Sequence, residues 1–434
     1  MKRVARFTAF ILGCVLTAGS TPAWAGENEM MDILIHKLVK KGVLSREDAR
    51  EIKQEVAEES ARMTKARAEE VKDTAKGMKG GAWLDKVKWK GDLRLRHETQ
   101  KREPAVDRNR QRFRLRFGFV ATPVDTLEVG VQLASGASGD PTSTNQSFSS
   151  SFDKKAIFID QAYGKYTPWE GGSGLFSGLS LIGGKMENPL FTVSEGMVWD
   201  GDVTPEGVAV QLKAPDPVPG LDRILSVKPF LTAGAYAFSE LSGDYGDPGL
   251  FVFQGGAEIA LPMKMKLKTA GAYHEMTGVE GKQTSDITAA STRNTVERGY
   301  FRDDYDMVTF TNHLSLPKIL GQPVSLRGDY VHNTGAKDDN GGWMAGLDVG
   351  KVTEKFGSWQ TGYSYKRLES DAAFGAISDS DFGTGGTNHK GHILYASMGL
   401  NEWASVGLKY FRTDEIEGSQ AHHDTFQADL QMKF

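Results

Sequence analysis

Asp424-Thr425-Phe426-Gln427-Ala428-Asp429-Leu430-Gln431-Met432-Lys433-Phe434 carries apolar or small side chains at every even position from Phe426 on and polar ones at every odd position. Successive side chains of a strand project to opposite faces, so Phe426, Ala428, Leu430, Met432 and Phe434 share one surface and Thr425, Gln427, Asp429, Gln431 and Lys433 the other. Such a strand has one face suited to lipid and one suited to water.

The same alternation recurs upstream at about 87–98, 108–120, 126–135, 155–167, 179–188, 205–213, 225–238, 250–260, 263–276, 304–316, 322–334, 342–352, 357–369, 388–399 and 403–413. With the last strand this makes about sixteen segments. The connections Ala121 to Asp125, Leu261-Pro262, Pro317 to Gly321, Thr353 to Phe356 and Leu400 to Glu402 are brief, whereas 136–154, 189–204, 277–303 and 370–387 are long. Short turns on one side and long loops on the other is the pattern of a bacterial outer-membrane barrel. The fold class expected is therefore all-β, a transmembrane antiparallel barrel. Phe434, closing the last strand, resembles the carboxyl-terminal signal by which such barrels are recognised and folded by the barrel assembly machinery. Trp89, Trp169, Trp359, Tyr363, Tyr365, Trp403 and Tyr410 are candidates for interfacial girdles.

Composition agrees. Fifty Gly against fifteen Pro suits many strands and turns, and the formal charge of -4 gives no argument for a nucleic-acid partner. Beyond the amino terminus no stretch approaches the roughly 20 apolar residues of a membrane-spanning helix.

The amino terminus predicts export. Lys2, Arg3 and Arg6 precede an apolar run from Phe7 to Ala18 and the small-residue site Ala23-Trp24-Ala25, the order of a secretory signal peptide over residues 1–25. Cys14 is the only cysteine, and Ile11-Leu12-Gly13-Cys14 offers a lipoprotein box as the lesser alternative. Cleavage after Ala25 leaves no thiol or disulfide chemistry. Residues 26–80 form a periplasmic segment in which Ser45 caps a charged helix running to about Lys76. Ala49, Ile52, Val56, Met63 and Ala66 fall on a three-four spacing interrupted by Glu59 and Glu70. A coiled-coil stalk that aids trimerisation or reaches the peptidoglycan and a solvated spacer are both open. Gly77 to Gly81 breaks the helix, and the barrel takes residues 81–434.

Gly184-Lys185 with Asn188-Pro189, then Trp199-Asp200-Gly201-Asp202 and Pro205-Glu206-Gly207, resemble the family of bacterial outer-membrane porins that carry a charged helix before a general-porin-like barrel. The resemblance implies a trimeric, general or weakly selective porin in the outer membrane, bounded by lipid and lipopolysaccharide. It implies that the connection between the fifth and sixth strands folds into the lumen. The PEFGG-type loop motif of enterobacterial general porins is missing.

Carrying the lipid-face phase back along the chain places Phe113, Leu115, Phe117 and Phe119 outward and Arg110, Arg112, Arg114 and Arg116 inward. On the first strand it leaves Arg94 and Arg96 inside, and on the ninth it adds Lys264, Lys266 and Lys268. A lipid-facing Arg at the bilayer midplane would cost about 2–4 kcal/mol. Glu195, Asp200, Asp202 and Glu206 are the candidate acids of a constriction loop. The expectation is a transverse field across a water-filled diffusion channel for small hydrophilic solutes and ions, with a weak anion preference; the alternative is that the arginines pair with carboxylates across the strands.

Two rival functions share these signals. A barrel enzyme would need a catalytic set, and His274, His313, His332, His389, His392, His422 and His423 have no evident Ser or Asp partner, so they read as rim or loop residues. His422-His423 is a poor chelate because adjacent strand residues face opposite ways. No catalytic residue, cofactor or metal ligand set is expected. An adhesin or anchor with a plugged lumen is the other rival.

Overall fold

The computed structural model describes Glu47, which is helical, and residues 86–171, 176–193, 196–214, 226–241, 246–288 and 292–434. The export segment, the remainder of the expected helix from Ser45 to Lys76, and Glu195 lie outside the described residues. The barrel falls within the unit Trp83–Phe434.

Sixteen antiparallel strands form one sheet: β1 (Val87–Arg102), β2 (Arg108–Val124), β3 (Leu127–Ser135), β4 (Ile157–Glu170), β5 (Gly178–Lys185), β6 (Glu206–Lys213), β7 (Ser226–Ala237), β8 (Gly249–Leu261), β9 (Met265–Thr277), β10 (Tyr305–Ile319), β11 (Gln322–Asn333), β12 (Gly341–Gly350), β13 (Trp359–Leu368), β14 (His389–Gly399), β15 (Ala404–Glu415) and β16 (His422–Lys433). Each pairs with its chain neighbours. β1 also pairs with β16 from Asp92↔Lys433 to Arg102↔His423, which closes the cylinder. A two-residue piece, Gln146–Ser147, covers the edge of β2 at Arg112–Phe113, where β3 is too short to reach. The strand count expected from the alternation is met.

The burial pattern identifies the inside. On β16, Thr425 and Gln427 are 2% and 1% exposed, while Phe426 is 38% exposed. Polar residues point in and apolar residues out, the reverse of a water-soluble fold. Trp89, Trp169, Trp359 and Trp403 are exposed on the rim that carries the short turns, the placement that suits an interfacial girdle.

Sixteen strands at about 4.8 Å spacing and 40° tilt enclose a cylinder roughly 30 Å across, too wide for wall side chains to fill. Connections fill it instead. The hydrophobic core lies inside the barrel and joins lumen-facing Tyr236, Val252, Met276, Met307, Val331 and Met344 to loop residues Met197, Trp199, Val279, Phe374 and Ile377. The segment between β13 and β14 is the most deeply embedded: Asp371, Ala372, Ala373 and Phe374 are all fully buried. Read from sequence as an ordinary long loop, it is an inward-folded one.

Candidate functional site: a charged constriction inside the barrel

The basic wall is built by register. β1 and β2 face each other with Arg94↔Arg114 and Arg96↔Arg112, so their inward side chains share one file. Same-sign neighbours at that spacing repel, and the strands interleave acids to compensate. Asp92 Oδ1 accepts from Arg114 Nη2 at 2.8 Å and Asp92 Oδ2 from Arg116 Nε at 2.7 Å. Glu98, fully buried, accepts from Arg110 Nε at 2.5 Å and Arg112 Nη1 at 3.4 Å. Arg96 makes a bidentate pair with Asp429 of β16 at 2.8 and 2.9 Å. Arg94 donates to Asn145 at 2.7 Å. The cross-strand pairing weighed as the alternative thus describes most of this wall.

Two inward loops complete it. From the β5–β6 connection, Asp202 stands 3.8 Å from Arg114 and 3.7 Å from Arg116, steadied by Thr144 Oγ1 at 3.1 Å. From the β13–β14 connection, Asp381 meets Arg96 Nη1 at 3.0 Å. Burial alone would raise the Asp381 carboxyl, but the Arg96, Lys409 and Arg94 charges outweigh it and hold the group well below the usual carboxylate range. Asp381 is a site residue that the sequence reading missed. The apolar run Ala372-Ala373-Phe374-Gly375-Ala376-Ile377 in a supposed external loop was its signal.

The β5–β6 loop is held in the lumen along its length. Asn188 Oδ1 accepts from the Leu190 N–H at 3.1 Å and turns the chain inward. Gln254 of β8 bonds both the N–H and the C=O of Phe191, at 2.8 and 3.0 Å. Trp199 packs edge-on against Tyr236, with ring centroids 6.3 Å apart. Asp200 does not face the arginines. Its backbone N–H donates to Ile377 O at 2.7 Å, and its carboxylate accepts from the Ser380 and Asp202 N–H groups at 2.9 and 2.8 Å. Burial, together with the neighbouring Asp379 carboxylate, pushes Asp200 up to about 8 against those donors. Asp200 is a latch between the two loops.

One further assignment is corrected. Lys264 is not in the lumen file: Pro262–Lys264 is a tight turn in which Met263 and Lys264 take φ of 57° and 63°, so the alternation read there ran past the strand's start. Lys266 keeps the inward phase but lies exposed at the short-turn mouth. Lys268 is neutralised by Glu258 at 3.0 Å and lies over the Phe191 ring. Glu206 opens β6, pairs with Lys185 at 2.9 Å and lines the same internal space as Trp199 and Asp202.

The loops separate two water-accessible spaces. One of about 820 Å³ is lined by Trp199, Asp202, Tyr236 and Ile377; the other, about 520 Å³, by Phe191, Arg327, Asp348, Lys409 and Asp429. Around the wall, Arg94, Arg96, Arg102, Arg110, Arg112, Arg114 and Arg116 face Asp92, Glu98, Asp202, Asp381 and Asp429, an excess of two positive charges.

Among curated proteins no match is found. The fold resembles that of OprB from Pseudomonas putida in its high-pH structure, with a TM-score of 0.54 and 11% identity over 82% of this chain and 97% of that one. The trimer form of OmpT, an outer membrane protein of Vibrio cholerae, aligns at 12% identity with a TM-score of 0.44, over 80% of this chain and 99% of that one. The family described as "Putative porin" matches residues 101–313 and 302–434. Spanning nearly the whole barrel with that match, the chain belongs to this porin family and is an outer-membrane β-barrel.

Proposed function

We propose that the barrel is a diffusion channel for small hydrophilic solutes and ions, narrowed by the β5–β6 and β13–β14 loops and weakly anion-preferring. The observation that carries this reading is the arginine file of β1 and β2 in ion-pair contact with Asp202 and Asp381 of the two inward loops. Opposed charges in a confined, partly dehydrated passage orient polar solutes and raise the barrier for apolar ones. The excess of two positive charges favours anions modestly. In this reading three copies assemble in outer-membrane lipid and lipopolysaccharide after export through residues 1–25, Phe434 serves recognition by the assembly machinery, and the charged amino-terminal segment contacts peptidoglycan.

A second reading draws on the apolar packing of Trp199, Phe374, Ala376 and Ile377 in the lumen, which suits a barrel that anchors without conducting. Planar-bilayer recording of the purified full chain separates the two. Stepwise closures in threes support the trimeric channel; electrical silence of folded protein in several salts would refute it.

A further inference from the structure

We propose that His389, Glu415 and His423 form a binding site for one borderline divalent transition ion, of which Zn²⁺ is the type, at the long-loop end of the lumen. His389 opens β14, Glu415 ends β15 and His423 lies in β16; the register sets His389 opposite Glu415 and Thr413 opposite His423. One ligand atom from each lies within 4.8 Å of the others, and all three residues are buried. A tetrahedral ion with bonds near 2.0–2.1 Å needs those atoms about 3.4 Å apart, within reach of rotamer adjustment.

His423 points to a ligand independently. It is 6% exposed, and neither ring nitrogen has a hydrogen-bond partner, Nε2 standing 3.8 Å from Glu415 Oε1, a deficit that a bound ion would relieve at one of the two nitrogens. The backbone arranges the second imidazole. The Thr387 carbonyl lies 2.5 Å from His389 Nδ1, so that nitrogen carries the proton and donates, leaving the Nε2 lone pair free to ligate. A ring N–H given to a backbone carbonyl is the usual support of a metal-bound histidine. Nε2 now accepts weakly from the Thr384 N–H at 3.3 Å. Two imidazoles and one carboxylate suit zinc-type ions and leave a fourth position.

One group competes. Arg293 Nη1 holds Glu415 at 3.2 Å, with Ser419 Oγ on the other carboxylate oxygen, and Arg102 stands opposite His423 on β1. Arg293 is about one-third exposed, also reaches Thr384, and can withdraw toward water when an ion takes its place. Occupancy would clamp the residue that ends the inward β13–β14 loop onto two neighbouring strands. The adjacent His422 takes no part: it is exposed and pairs with Asp414.

Calorimetric titration of folded full-length protein with Zn²⁺, alongside the visible absorption of Co²⁺ as a geometry probe, tests this. Wild type and His422→Ala are expected to bind one equivalent each. His423→Gln and Glu415→Gln should weaken binding by more than the roughly 10–100-fold that loss of an outer-shell partner costs, and Arg293→Gln should tighten it. Folding of each variant is checked by heat-modifiable gel migration. No stoichiometric binding by wild type up to millimolar Zn²⁺, loss of binding in His422→Ala, or a His423→Gln or Arg293→Gln variant that binds as wild type does would each overturn the proposal.

Discussion

Removing the Asp379 carboxylate should release the inward β13–β14 loop, because it strands a charge that the barrel wall cannot hydrate. Lys366, inside β13, is fully buried; its ammonium lies 3.2 Å from Asp379 Oδ2 and 4.6 Å from the centre of the Phe382 ring. The buried Asp329 carboxylate of β11 is the other charge that acts on this ammonium. Breaking such a pair from one side costs about 3–5 kcal/mol, most of it the uncompensated charge. At 1.4 kcal/mol per decade this moves the docked-to-undocked ratio of the loop by roughly two to three and a half decades. Asp379→Ala should therefore raise amide hydrogen exchange across 371–387 and increase single-channel conductance. Adding Lys366→Met, which keeps the volume and removes the charge, should restore much of the protection. A single Asp379→Ala variant with unchanged exchange, or a double variant no better protected than the single one, would refute the reasoning.

Three other outcomes follow from the geometry. Replacing Arg112, Arg114 and Arg116 together with Ala removes three positive charges from this wall, so the reversal potential in a salt gradient should shift toward cation preference; an unchanged value removes this wall from the selectivity argument. For Asp200 the sign runs against the common carboxylate case: its value when the loops are clasped, about 8, lies above the ordinary 3.8, so the clasped state binds the extra proton. The latch is then strongest below about pH 4 and weakens as pH rises toward 8. Channel openings should become larger or more frequent across that window, and Asp200→Asn should flatten the dependence; Asp381, shifted the other way, acts only at lower pH. A Cβ on Gly375 would sit 1.8 Å from the Thr292 carbonyl oxygen, so Gly375→Ala should cost roughly 1–3 kcal/mol of loop docking, measured as faster exchange over 369–388, and unchanged exchange would contradict the packing.

The wall was legible in the sequence because a period of two, once anchored at Phe426 and Phe434, assigns every side chain of a strand to a face. Arg94, Arg96 and the β2 arginines were placed that way. The same rule failed at Lys264, where a positive-φ turn happens to continue the alternation. What the alternation cannot express is which acids meet which bases: Asp92, Glu98 and Asp429 neutralise the wall through a register set by barrel closure. Nor does it foresee loop burial. Asp381 and Asp200 find their partners only because both loops enter the same interior, a contact between segments 180 residues apart in the case of Asp200 and Ser380.

That contact also bears on the mechanics of the cylinder. A ladder of hydrogen bonds resists sliding of strands but lets the wall flex between round and oval outlines. The Asp200–Ser380 latch joins a loop rooted beside β5 and β6 to one rooted beside β13 and β14, nearly half the circumference away. It acts as a spoke across the hub, so a loop-deletion variant should gain current noise from a breathing wall along with any gain in width.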